Sequence, residues 1–170
     1  MNRKMVFNTL GLMLKFEAAM LALPAIVAVI YGESCVGAIL ISAAISLALG
    51  LVLRVLNRPE SNVIYAREGF VTVAMAWLTV SAVGALPFVL SGEIPNYKDA
   101  FFETVSGFTT TGASILTDVE AMSHGLLFWR SFTHWVGGMG VLVVIMALVP
   151  SMSDRSIHIM RAEMPGPVVG

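Results

Sequence analysis

The sequence predicts an all-α membrane protein: an N-terminal transmembrane helix hairpin followed by one span–re-entrant pore loop–span repeat. Three observations predict it. The 170 residues are 57% hydrophobic and 12% charged, whereas soluble domains are about half apolar and about a quarter charged. Four apolar segments reach the roughly 20 residues that a helix needs to cross the bilayer core. Between the third and fourth lies a polar, turn-forming run, "SGFTTTGASILTD", Ser106 to Asp118.

The first span runs from about Leu10 to Tyr31, with Pro24 as a kink point and Lys15 and Glu17 near its start. A charge in lipid is costly, so those two belong at the interface or against protein. Arg3 and Lys4 ahead of an apolar run also resemble a signal peptide. The run is longer than a usual h-region and no A-x-A site follows, which favours a retained helix. "YGESC" is a tight connection to the second span, Val36 to Leu53. "RVLNRPESNVIYARE", Arg54 to Glu68, is a polar loop, and the third span is Gly69 to Leu90 with Pro87 near its end. The fourth is roughly Leu126 to Val149, and "PGP" at Pro165 to Pro167 excludes a helix in the tail.

Lysine and arginine set the orientation. Arg3, Lys4, Arg54, Arg58, Arg67, Arg155 and Arg161 fall on one side of the spans, and only Lys98 on the other. Both termini are expected in the cytoplasm, with Ser91 to Ser123 outside.

That outer segment begins with Pro95 and Asn96, a helix start, and its aromatics Tyr97, Phe101, Phe102 and Phe108 fall mostly at helical spacing. A helix over Asn96 to Phe108 spans about 20 Å, enough to enter the bilayer and not to cross it. Gly107 invites a stop. Non-helical backbone survives at membrane depth only when buried in protein or lining water, so "TTTG" has to aim its carbonyl oxygens at something that rewards them. A dehydrated cation does so. The β-branched Thr109, Thr110 and Thr111 favour extended backbone, and their hydroxyls add ligands or brace the loop. Gly112 permits the positive φ that aligns successive carbonyls. The C-terminal end of the half-helix directs its negative dipole toward the same place. A plain exposed Ser/Thr/Gly loop is the competing reading; the half-helix before it and the span after it favour a pore loop.

Other chemistry finds little support. A net charge of −1 offers no basic field for nucleic acid, and one cysteine, Cys35, excludes an internal disulfide framework. No nucleophile stands with an oriented base, so no enzyme is expected. Gly137, Gly138 and Gly140 lie in an apolar span with no strand before them, which points to close helix packing and not to a nucleotide loop. His124 and His134 are ten residues apart, and packing histidines are expected. Asp118 and Glu120 follow the filter run and stand where they could gather cations. Arg130 needs a partner inside the membrane, and Glu103 on the half-helix is the expected one; a snorkelling Arg130 is the alternative.

"SGFTTTGAS" resembles the first selectivity-filter segment of the Trk/Ktr/HKT potassium transporter superfamily, nearest its bacterial Trk members. "FWRSFTHWVGGMGVLVV", Phe128 to Val144, resembles the pore-lining helix after that filter, and "RAEMPGP", Arg161 to Pro167, the linker beyond it. The resemblance implies a potassium-uptake protein of the bacterial inner membrane, in which a leading hairpin is followed by four span–pore-loop–span repeats around one pore. Residues 1–67 match the hairpin and its cytoplasmic loop, 68–150 the first repeat, and 151–170 a cytoplasmic linker. Thr109, Thr110, Thr111 and Gly112 match one filter segment, with K+ expected at Thr110, Thr111 and Gly112. Glu103, Arg130, Ala113 and Ser114 are expected to support it. The resemblance implies no covalent cofactor. It implies K+ as the transported ion, a cytosolic nucleotide-binding regulatory subunit of the TrkA type as partner, and a homo-oligomer. The chain carries one filter where the family uses four, so it resembles the first third of the usual polypeptide. A truncated sequence is expected; a short subunit forming a homotetrameric ring is the alternative, and a non-conducting membrane subunit or assembly module is the competing function.

Overall fold

Apolar stretches too long for a soluble core fold into seven helices among the described residues. The structure is a computed structural model, and it describes residues 3–57 and 66–148. The helices are α1 (Arg3–Met20), α2 (Ala22–Ile30), α3 (Val36–Leu56), α4 (Ala66–Gly84), α5 (Leu86–Ser91), α6 (Tyr97–Phe108) and α7 (His124–Leu148). The described residues form no strand.

The first expected span starts earlier than its apolar run, at Arg3, because helix continues through the polar first turns. It breaks at Leu21 between α1 and α2. Pro24 lacks the N–H that would bond the Met20 carbonyl, while the Leu21 and Ala25 amides still donate to Glu17 and Leu21. Pro87 marks a similar break between α4 and α5. Taken across these breaks, Arg3–Ile30, Val36–Leu56 and Gly69–Ser91 are long and apolar enough to cross a bilayer. The fourth expected span falls on α7, 25 residues or about 37 Å long. Helix α3 continues to Leu56, so Arg54 lies in its last turn and not in the loop, where a cation complements the helix dipole. Arg58, Arg67, the tail and the expected linker at 151–170 lie outside the described side chains.

Helix α3 runs back along α1. Ser46 Oγ donates to the Leu14 carbonyl at 2.8 Å and lies 3.3 Å from Glu17 Oε2. Glu17 is fully buried, so it faces protein as its charge requires, and Lys15 is half-buried. Helix α7 packs on α2, α4 and α6. The core lies where these meet: Leu21, Ile39, Phe88, Phe108, Leu126 and Trp129 are all buried. Trp129 is sealed from solvent, and its indole N–H donates to the Gly84 carbonyl at 2.9 Å. That bond satisfies the one polar atom of a ring that otherwise contributes apolar area.

The connection between α2 and α3 does more than turn the chain. Glu33 reaches the start of α7, where its carboxylate accepts from the backbone N–H of His124 (2.6 Å) and of Gly125 (2.9 Å). The His124 ring nitrogen lies 2.9 Å from the same carboxylate, and Tyr31 stacks on that ring at 4.0 Å. Glu33 thus caps α7 from 91 residues away. Partial burial pushes its carboxyl up. The hydrogen bonds from Gly125, His124 and the Cys35 thiol outweigh that, so it titrates below its ordinary range.

A depressed folded pKa stabilises the fold above the ordinary carboxylate range, and that stability is lost as pH falls through the folded value. Glu33→Gln is therefore expected to lower the melting temperature near pH 7 by about 2–4 °C. The gap to wild type should close as the pH is taken below the carboxylate range. A gap that persists in acid would show that the charge is not what Glu33 contributes.

Candidate functional site

The segment expected to form the pore loop is built on α6, 12 residues or about 18 Å of helix, little more than half of a hydrocarbon core about 30 Å thick. Asn96 starts it: its side-chain oxygen accepts from the Lys98 N–H at 3.1 Å. Tyr97 Oη ties that end to α4 by donating to the Ala82 carbonyl at 2.9 Å. Ala100, Glu103, Thr104, Ser106, Gly107 and Phe108 form the buried face.

Gly107 does not stop the helix, which runs on to Phe108. Its lack of a side chain is needed for packing, since a Cβ there would overlap Thr133 Oγ1 of α7. Four residues along α7 from Thr133, a Cβ on Gly137 would overlap the Phe108 carbonyl. The expected packing role of the α7 glycines therefore acts on the residue just before the filter run. Gly138 faces Thr110 more loosely, at 3.8 Å from its methyl.

The threonines correct the extended backbone expected of them. Thr109 is the C-cap, at φ −84° and ψ 0°, and Thr110 takes a left-handed φ of +55°. The Thr110 N–H donates to the Gly107 carbonyl at 2.9 Å and the Thr111 N–H to the Ser106 carbonyl at 3.0 Å. These are the two bonds of a Schellman ending, and closing them overrides the β-branched preference. A left-handed non-glycine residue costs about 1–2 kcal/mol. Thr109 Oγ1 donates to the Val105 carbonyl at 2.7 Å and pairs with Thr111 Oγ1 at 2.8 Å, so these hydroxyls brace the turn. Gly112 has the expected positive φ, +75°, and nothing lies within 4 Å of where its Cβ would be.

Two polar side chains on α6 then hold the outgoing strand. Ser106 Oγ donates to the Ala113 carbonyl at 2.5 Å. Glu103, 1% exposed, accepts from Ser114 Oγ (3.0 Å) and from the Ile115 N–H (3.1 Å). Arg130 closes the cluster, its Nε 2.6 Å from Glu103 Oε1. The expected partners Glu103 and Arg130 are thus together, and Ala113 and Ser114 are both held by α6. The sequence reading missed Ser106. Its signal was a polar residue three positions from Glu103, which places both on one helix face.

The result is a bracketed gap. The carbonyls of Val105, Ser106, Gly107 and Ala113 all accept hydrogen bonds. Those of Phe108, Thr109, Thr110, Thr111 and Gly112 accept none among the described residues; Phe108 is buried against Gly137, and the other four residues are exposed. Asp118 is exposed and turns the loop by accepting from the Glu120 N–H at 3.1 Å. His134 Nδ1 lies 3.0 Å from the Arg130 carbonyl, a local packing contact. No group of three or more His, Cys, Asp or Glu among the described residues is arranged to hold a metal ion.

Three spans long and apolar enough to cross a bilayer put the chain among membrane proteins. A family model described as "TrkH: Cation transport protein" matches residues 36–170, and the chain belongs to that family. The Trk system potassium uptake protein TrkH of Salmonella typhimurium is 38% identical over 170 residues, covering 99% of this chain and 35% of the relative. The Trk system potassium uptake protein TrkG of Escherichia coli is 32% identical over 145 residues, covering 85% of this chain and 30% of the relative. The crystal structure of the potassium transporter TrkH from Vibrio parahaemolyticus superposes with a TM-score of 0.81 at 30% identity, over 95% of this chain and 36% of that one. The chain thus spans about a third of the length of these relatives, and the family is one of transporters, not enzymes.

Two outcomes test the packing of the site. Glu103→Gln and Arg130→Gln are each expected to destabilise by about 3–5 kcal/mol, because each strands a buried charge. The double variant should lose far less than the sum in a thermal or denaturant cycle, and additive losses would count against the pair. A charge swap is not the test, since it leaves the Ser114 hydroxyl and the Ile115 N–H facing a guanidinium. Gly137→Val is expected to separate α6 from α7 and cost about 1–3 kcal/mol of overpacking, read as a lowered melting temperature. Gly138→Ala, which meets only a loose contact, should be near neutral.

Proposed function

We propose that this chain contributes the leading hairpin (1–67) and first span–pore-loop–span repeat (68–150) of a potassium-uptake pore, followed by a linker (151–170). In this reading α6 enters the membrane without crossing it, and the carbonyls of Thr109 to Gly112 form one quarter of a selectivity filter. K+ binds at Thr110, Thr111 and Gly112. The observation that carries the reading is the open turn: the carbonyls of Phe108 to Gly112 accept no hydrogen bond among the described residues, between an engaged Gly107 carbonyl and an engaged Ala113 carbonyl. Unpaired carbonyls at membrane depth need water or an ion, and a dehydrated K+ accepts such oxygens in place of its water. The relatives' names, potassium uptake proteins, point the same way.

Glu103, Arg130, Ser106, Ala113 and Ser114 hold the gap open from behind, and the ion moves down its electrochemical gradient. A membrane potential contributes about 2.3 kcal/mol per charge per 100 mV, so no chemical step is required. The distribution of Lys and Arg supports cytoplasmic termini in a bacterial inner membrane. Three further filter segments complete the ring, from further repeats or from further copies of the chain. A cytosolic nucleotide-binding subunit of the TrkA type is the proposed regulatory partner, on the face that carries Arg54.

Gly112→Ser provides the test. Nothing crowds Gly112, so the substitution acts through backbone alone: a serine at φ +75° costs about 1–2 kcal/mol and turns the adjacent carbonyls. In liposomes holding the completed ring, the K+/Na+ permeability ratio is expected to fall about tenfold, with assembly retained. An unchanged ratio would remove Gly112 from the filter. Absence of K+-selective flux from the wild type would favour the non-conducting assembly module instead.

A further inference from the structure

Lys15 and Arg54 take no part in the pore-loop cluster, and the crossing of α1 and α3 brings them together. Gly11 and Gly50 meet there backbone to backbone: a Cβ on Gly11 would lie 2.7 Å from the Gly50 carbonyl oxygen, and one on Gly50 2.8 Å from the Gly11 carbonyl oxygen. The stem of Lys15 lies over Gly50 and the stem of Arg54 over Gly11, with Cγ atoms 3.0 and 2.8 Å from those Cβ positions. The helices run antiparallel, so the two cations stand about one turn, about 6 Å, apart along the bundle. Both are half-buried. Neither has a hydrogen-bond or carboxylate partner among the described residues. Two cations with seated stems and no counter-ion among the described residues, Arg54 in the last turn of α3 and Lys15 within the Arg3–Ile30 span, are complemented by an anion.

A groove of about 320 Å³ opens beside Lys15, lined by Lys15, Ala18, Ala19, Ala43, Ala44 and Leu47. Ala43, Leu47 and Arg54 are spaced four and seven apart on α3 and so lie on one stripe. The groove and both cations therefore share one edge of the crossing. The charge and the lining select the occupant: an anionic lipid brings a phosphate for the two cations and an apolar chain for a wall of alanine methyls.

We propose that this edge binds one anionic phospholipid, its phosphate between Lys15 and Arg54 and an acyl chain in the alanine groove. The headgroup then lies at the end of the bundle that carries the N-terminus, where Arg54 closes α3. A zwitterionic lipid brings its own cation against the pair and binds less well. Inorganic phosphate lacks the chain. This site is independent of whether Thr109 to Gly112 select K+.

Native mass spectrometry of the detergent-purified protein tests it, with phosphatidylglycerol, phosphatidylcholine and inorganic phosphate as separate probes. The wild type is expected to retain one phosphatidylglycerol in preference to phosphatidylcholine by on the order of tenfold, and no phosphate. The double variant Lys15→Gln/Arg54→Gln should lose the preference. Ala44→Leu, with both charges in place, should weaken retention of both lipids, and circular dichroism checks that helix content is kept. The wild-type comparison stands without any variant: equal retention of the two lipids overturns the proposal. So does a preference that survives removal of both charges, or retention of phosphate alone.

Discussion

One carboxylate, Glu103, carries much of the site. It is buried on the short helix α6, and it accepts from the Arg130 guanidinium, the Ser114 hydroxyl and the Ile115 N–H. Each contact answers a different need. Arg130 supplies the opposite charge that a buried acid requires. Ser114 and Ile115 follow Ala113 just beyond the open turn, and Glu103 holds them to α6. Ser106 repeats the device one helical turn on by gripping Ala113. The free carbonyls at Thr109 to Gly112 lie between a helix end closed at Ser106 and Gly107 and a segment held at Ala113 to Ile115.

Bilayer helices gain little from burying apolar surface against one another, so contact depends on how closely backbones approach. The small residues mark those approaches. Gly107 lies against Thr133 and Gly137 against the Phe108 carbonyl, which sets α7 directly behind the filter run. Phe108 itself is held between Trp77 and Trp129, the latter edge-on at 6.4 Å. The residue before the turn is thus held by two helices, α4 and α7.

Much of this was legible in the sequence. Apolar length gave the spans, the aromatic spacing of Tyr97 to Phe108 gave a short helix, and an arginine inside a span made Glu103 a candidate partner, with a snorkelling arginine as the competing reading that the ion pair overturns. Gly112 was readable because positive φ is a local property of glycine. The threonines were misread for a physical reason: side-chain propensity favours extension, but Thr109 to Thr111 close a helix whose last carbonyls need donors, and that demand wins at Thr110 at the expense of strain. The half-helix ends at Phe108 as read, but the packing reason for Gly107 was hidden because it lies on another helix, at Thr133. Glu33 carried no signal at all, since its partners at His124 and Gly125 are 91 and 92 residues away.

That separation also orders the fold in time. The bonds that shape the filter run join residues two to twelve positions apart, so they close cheaply as soon as that stretch leaves the ribosome. The Glu33 cap cannot exist until His124 has been made. Ninety-one positions separate the two, so the contact that fastens the tip of the hairpin to α7 closes only once α7 has begun to form.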